Sequence, residues 1–336
     1  MKESPAPAKM KHELGLLDGT MLVAGSMIGS GIFIVSADIT RFVGSAGWLI
    51  AAWLITGFMT LTAAVSYGEL SAMFPKAGGQ YVYLKEAYNK FVAFLYGWSF
   101  FAVIQTGTIA AVGVAFSKFT AYLIPAVSED NILWSLKYGT DATGADKLFN
   151  ISAAQLVSIV VILLLTYINT KGVKNGKIIQ TTFTLAKLLS LFGLIGFGFL
   201  AFKGEIWDAN WTNAWDMHAL AKDGTTTSYT ISAALGALAI AMVGSIFSSD
   251  AWNNVTFIAG EMKNPQRNVG LSLFFGTLIV TFIYVAANFM YTAVLPLQEI
   301  ATAEKDRVAV AASQVIFGNV GTYVIAIMIM VSTFGC

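Results

Sequence analysis

Hydrophobic positions run in eight long blocks separated by shorter polar stretches: residues 16–37, 47–72, 92–124, 151–169, 178–202, 229–260, 270–294 and 310–336. Each is long enough for a bilayer-crossing helix, which takes about 17 to 25 mostly apolar residues. The pattern predicts an all-α polytopic membrane protein. Two blocks are interrupted. The first carries GSMIGSGIF at 25–33, although a glycine inside a helix costs about 1 kcal/mol relative to alanine. The sixth carries VGSIFSSDAWNN at 243–254. The two share an echo, Ser30-Gly31-Ile32-Phe33 in one and Gly244-Ser245-Ile246-Phe247 in the other. Gly25 and Gly29 form a GxxxG pair that close helix packing would also explain. Gly29-Ser30-Gly31 reads as an unwound point.

Unpaired backbone at membrane depth survives only where it lines a protein cavity. Matching interruptions in spans one and six imply inverted five-helix repeats with a site near the midplane. The expected organisation is a single transport domain over 1–336, with a first repeat at 14–202 and a partial second repeat at 228–336. At the break, a half-helix ending near Gly29 leaves carbonyls for a cation, and one beginning near Ile32 presents N–H groups to an anion. An α-amino acid, with both charges on one carbon, fits such a break.

Composition agrees: 56% of the residues are hydrophobic and 12% charged, against roughly 25% charged in an average soluble domain. The net charge of +1 and the lack of a basic cluster give no reason to expect nucleic acid. One cysteine excludes an intramolecular disulfide or a CxxC site within this sequence. No metal or cofactor is expected. Neither GxSxG nor HExxH occurs, so nothing points to an enzyme. Met1 to Glu13 is polar and basic with no cleavage site after the first span, which is the expected insertion signal. The eighth block runs into Cys336, so a truncated chain is expected.

Lysine and arginine favour cytoplasmic loops. With the N-terminus inside, eleven of them fall on the inner side, three in KGVKNGK at 171–177, and seven on the outer side. Segments 125–150 and 203–227 are net acidic. A cell (inner or plasma) membrane protein with a cytoplasmic N-terminus is expected.

Four motifs, GSMIGSGIF at 25–33, YGELSAMFPKAGGQYVYLKEAY at 67–88, AKLL at 186–189 and FSSDAWNNVTFIAGEMKNPQRN at 247–268, make the chain similar to the amino acid, polyamine and organocation transporter superfamily. Within it the L-type amino acid transporter branch, in its bacterial form, is the nearest resemblance. That resemblance implies the LeuT-like fold, with two inverted five-helix repeats and broken helices one and six; this chain would end within helix eight. It implies sodium-independent uptake or exchange of neutral L-amino acids by alternating access. By the same resemblance, the substrate carboxylate would meet the amides of Ser30, Gly31 and Ile32. The ammonium would meet carbonyls around Ile28 and, in span six, Phe247, Ser248 and Asp250. Phe247 matches an aromatic that closes over the substrate from outside. Ser248, Ser249 and Ala251 depart from the common FAYDGW pattern, which favours a smaller or more polar pocket and hence small substrates. Segment 125–150 lacks the cysteine by which animal light chains are linked to a heavy chain, so no disulfide-linked heavy chain is expected.

Asp250 is expected to cap the second half-helix through the amides of Trp252 or Asn253, with direct substrate contact as the other reading. Trp252 is expected in the pocket wall. Lys187 lies about nine residues into a helix starting near Ile178, hence roughly 14 Å deep, beyond the about 6 Å that a lysine snorkels. It shares a face with Gln180 and Thr184, and an intramembrane lysine should face the bundle interior with a partner. In the resembled family the matching lysine replaces a sodium ion and braces span one against span eight, where Ser332 and Thr333 are the candidates. Rival functions are a proton-coupled amino acid or polyamine symporter, a channel, and a non-transporting truncated protein or sensor.

Overall fold

The computed structural model describes residues 12–140, 146–170 and 173–334. Cys336 and the lysines at 2, 9, 11 and 171 lie outside the described residues. Among the described residues thirteen α-helices dominate: α1 (Leu16–Met27), α2 (Gly31–Val43), α3 (Ala46–Met73), α4 (Gln80–Ala87), α5 (Lys90–Ser99), α6 (Thr106–Leu123), α7 (Ala153–Asn169), α8 (Val173–Leu200), α9 (Gly204–Trp211), α10 (Ile231–Ser248), α11 (Pro265–Val294), α12 (Leu297–Ala301) and α13 (Val308–Phe334). Six described helical segments are long and apolar enough to cross a membrane; α1 and α2, bent by 46°, make a seventh. The fourth predicted span is α7, a shorter apolar helix.

Boundaries follow local chemistry. Asn89 caps α5 by accepting from the Phe91 and Val92 amides at 2.9 and 3.0 Å. Ser152 and Gln155 form a capping box on α7. Pro265 opens α11, where its missing N–H costs nothing. Gly44 ends α2 at φ +63°, hard against the His218 carbonyl, a conformation and a closeness that only glycine tolerates well.

Span one is longer than its apolar block, reaching Val43 because its polar residues have partners. Ser36 Oγ donates to Asn288 Oδ1 at 2.7 Å, and Arg41 pairs with Asp38 and Asp306. Two short hairpins depart from the all-helical expectation, β1 (Ile132–Thr140) with β2 (Asp146–Ser152) and β3 (His218–Leu220) with β4 (Thr226–Ser228). Both lie in connections between spans, where backbone groups need partners as much as anywhere.

Helix α11 is the centre, with Val280, Ile283, Tyr284, Ala287, Met290 and Tyr291 buried. Lipid supplies no hydrophobic drive between helices, so close approach at small residues matters. Gly19 meets Ser272 and Gly276 meets Val23 between α1 and α11, and Gly57 meets Thr281 while Gly68 meets Gly270 between α3 and α11. Large apolar side chains such as Phe58, Phe101, Leu163, Val243 and Phe282 face outward, as a lipid-facing surface requires.

Candidate functional site

Helix α1 stops at Met27 because Ile28 adopts an extended conformation, φ −76° and ψ 90°. After Gly29 and Ser30, α2 begins at Gly31. Among the described residues, no backbone carbonyl accepts from the amides of Ser30, Gly31 or Ile32. They form the N-terminal turn of α2, with donors and the positive dipole end available to an anion.

Span six breaks correspondingly. α10 ends at Ser248, Ala251 takes a left-handed φ of 65°, and a 3₁₀ segment, Trp252–Glu261, continues. Tyr284 joins the two breaks: its hydroxyl lies 2.9 Å from the Met27 carbonyl and 3.1 Å from the Ser248 carbonyl. Its ring packs edge-on against Trp53 at 5.1 Å.

Lys187 is 1% exposed and sits at the middle of α8. α8 starts at Val173, not near 178, so the lysine is about 21 Å from its start. Its Nζ donates to the carbonyls of Gly25 at 2.7 Å and Ile28 at 2.9 Å. Ser332 Oγ of α13 reaches the same Ile28 carbonyl at 3.4 Å. Thr333 is buried but returns its hydroxyl to Ile329 of its own helix at 3.0 Å. The shared face of α8 meets α1 as its spacing predicts, since a Cβ built on Gly25 would collide with Thr184 Oγ1 and lie 2.8 Å from Gln180 Nε2. Gly25 is therefore a packing glycine.

A cavity of about 560 Å³ opens beside the breaks. Met27, Gly29, Ser30, Gly31, Phe247, Ser248, Asp250 and Thr333 line it, together with much of span three and the end of α7. From α2 only Gly31 reaches it, from α10 only Phe247 and Ser248, and from α13 only Thr333. It therefore extends one way, toward Gln80, Thr166, Asn253 and Asn254. That half also holds the N-terminal segment, where Leu14 accepts from Lys263 at 2.8 Å.

The opposite half is closed. Arg41 Nη1 reaches Asp306 at 2.7 Å and the Ala301 carbonyl at 2.9 Å. Lys305 reaches Asp130 at 2.9 Å, and the donated bond holds the Asp130 carboxyl below its ordinary range. Arg307 lies over the Tyr122 ring at 4.8 Å.

Several expected roles change. Ile28 and Ile32 are fully buried and absent from the cavity wall; the Ile28 carbonyl is taken by Lys187 and Ser332, and the Ser248 carbonyl by Tyr284. Asp250 caps nothing, because the 3₁₀ segment has no side-chain cap. It is exposed at the cavity and is the one charged residue among the described lining. Trp252 leaves the wall to pack edge-on against Tyr67 at 5.0 Å. Ser249 is buried and lines nothing, and Ser248 Oγ turns back to the Gly244 carbonyl at 2.8 Å. Ser248 thus lines the cavity with its hydroxyl bonded to its own helix, and Ser249 does not line it. Sequence reading missed Tyr284 and the wall of span three; one buried tyrosine and scattered polar residues in apolar helices give no local signal.

A family model described as an amino acid permease matches residues 14–336. The chain is 31% identical over 327 residues to a serine/threonine exchanger of Bacillus subtilis, covering 97% of this chain and 65% of that protein. It is 28% identical over 327 residues to the Asc-type amino acid transporter 1 of Mus musculus, and 28% over 328 residues to the large neutral amino acids transporter small subunit 2 of Homo sapiens, each covering 97% of this chain and 55% of the relative. The chain thus spans between about half and two thirds of the length of these curated relatives.

Proposed function

The chain belongs to the amino acid permease family, and from that premise we propose that it exchanges small neutral L-amino acids across the cell membrane without sodium. It does so by alternating access in a LeuT-like arrangement of inverted repeats, with a cytoplasmic N-terminus and no heavy chain linked through segment 125–150. The observation that carries this reading is the pair of facing breaks. Ser30 and Gly31, whose amides have no backbone partner among the described residues, line the same cavity as Asp250, which offers opposite partners to the opposite ends of an α-amino acid. Lys187 supports the sodium-independent part, because its Nζ occupies carbonyls of Gly25 and Ile28 that an ion would otherwise coordinate. With the N-terminus inside, the cavity faces the cytoplasm. The relative named as a serine/threonine exchanger agrees with small substrates, and the one named for large neutral amino acids agrees with the neutral class alone.

Counterflow in proteoliposomes tests it. Unlabelled L-alanine inside should accelerate entry of labelled L-serine, equally in sodium and choline buffers, and alanine, serine and glycine should compete better than tryptophan. Entry indifferent to internal amino acid would overturn exchange, and a sodium requirement would overturn the role given to Lys187. One observation favours a second reading, a proton-coupled amino acid or polyamine symporter: Asp250 is an acid in the cavity with no ion pair among the described residues. Uptake driven by a pH gradient, or competition by putrescine, would select that reading.

A further inference from the structure

Span three is not uniform. Between α5 and α6 the segment Phe100–Gln105 is π-helical, and the wider turn is matched by Thr106 Oγ1, which donates to the Phe101 carbonyl five residues back at 2.7 Å. A π turn inserts one residue and rotates everything after it; such turns are rare and frequently mark functional sites. Here its last residue, Gln105, is half-buried and lines the cavity. The same lining holds apolar Ile104, Ile109 and Val112 on this span and Ile162 and Leu165 on α7, and its hydroxyls at Thr108 and Thr166 are turned back to the Ile104 and Ile162 carbonyls of their own helices. Among the described residues nothing hydrogen-bonds the Gln105 carboxamide, and an amide in such surroundings is costly unless water or a ligand completes it.

We propose that Gln105 reads the side chain of the transported amino acid and selects a hydroxyl-bearing one over its apolar isostere. The inference rests on the amino acid exchange proposed above. A carboxamide both donates and accepts but carries no charge, so it suits a neutral polar group. The Ser30 and Gly31 amides, in the same cavity, recognise only the backbone end that all amino acids share. A site built to bond a hydroxyl leaves its own polar group unpaired when the isostere binds.

Threonine and valine differ by a hydroxyl for a methyl, which makes them the probe. In the purified full chain, threonine should displace labelled L-serine and raise the melting temperature more effectively than valine. In Gln105→Met, of similar length and helix preference, the threonine-to-valine ratio should fall by about 2- to 12-fold, the worth of one neutral hydrogen bond. Gln105→Glu keeps an acceptor oxygen and should keep the ratio above that of the methionine variant. An unchanged ratio in Gln105→Met overturns the proposal, as does an equal fall in the alanine-to-glycine ratio, which involves no hydroxyl. Should neither threonine, valine, alanine nor serine stabilise the parent protein, the exchange reading itself fails and this inference with it.

Discussion

Replacing Lys187 by methionine keeps the length and apolar stem of the side chain while removing the Nζ that holds the first break. Among the described residues two hydrogen bonds are lost, to the Gly25 carbonyl at 2.7 Å and the Ile28 carbonyl at 2.9 Å. Hydrogen bonds from a charged group contribute about 1.5 to 3 kcal/mol each, so roughly 3 to 6 kcal/mol of interaction disappears. Against this, a lysine no longer has to be buried at membrane depth, which returns about 2.5 to 3.5 kcal/mol on insertion scales. The net effect lies between a gain of about 0.5 and a loss of about 3.5 kcal/mol, so the variant should remain folded and monodisperse in detergent. The damage should be local. Ser332, at 3.4 Å from the Ile28 carbonyl, is then the described hydrogen-bond partner left to tie the break to α13, and the Ser30 and Gly31 amides lose their fixed position. Serine counterflow in proteoliposomes should therefore fall more than tenfold while size-exclusion elution stays unchanged. A monodisperse variant exchanging within twofold of the parent would refute the reasoning.

Gly31→Ala should lower stability by about 1 to 3 kcal/mol, as overpacking does, because the added Cβ overlaps Ser248 Oγ and lies 2.5 Å from Ser248 Cβ. Adding Ser248→Gly should restore part of it, and a double-mutant cycle with no coupling would reject the contact. Tyr284→Phe leaves the Ser248 carbonyl without its hydroxyl partner and the Met27 carbonyl with the Gly29 amide alone; thermal unfolding should show a loss of about 1 to 3 kcal/mol, and an unchanged melting temperature would count against the bridge. The Asp130 carboxyl is lowered by the bond from Lys305, then by Ser128 and the Lys305 charge. A depressed carboxyl stabilises above its unfolded pKa near 3.9 and loses that contribution as pH falls through the lower folded value. The melting-temperature difference between parent and Asp130→Asn should thus be full at pH 5 to 7 and vanish toward pH 2, and a difference independent of pH would contradict the pairing.

The sequence alone determined the membrane-spanning helices and the two interruptions, because hydropathy over about 20 residues and clusters of poor helix formers act locally. It also determined that Lys187 must be buried with a partner: depth follows from counting residues along α8, and an unpaired lysine there would be too costly. Which partner was a tertiary matter. The Gly25 and Ile28 carbonyls are reachable only once α1 breaks and lies against α8. Gly31 read as part of an unwound point, and the structure adds that its missing Cβ makes room for Ser248, since a glycine does not reveal which neighbour comes close. Asp250 and Trp252 read as cap and wall, but the left-handed turn at Ala251 redirects both, one to the cavity and one onto Tyr67. The π segment that turns Gln105 inward shifts the helical face by one residue, which a fixed 3.6 period cannot anticipate. The direction in which the cavity opens is set by contacts between residues as far apart as Arg41 and Asp306, and pairings across such distances are chosen by packing, not by local sequence.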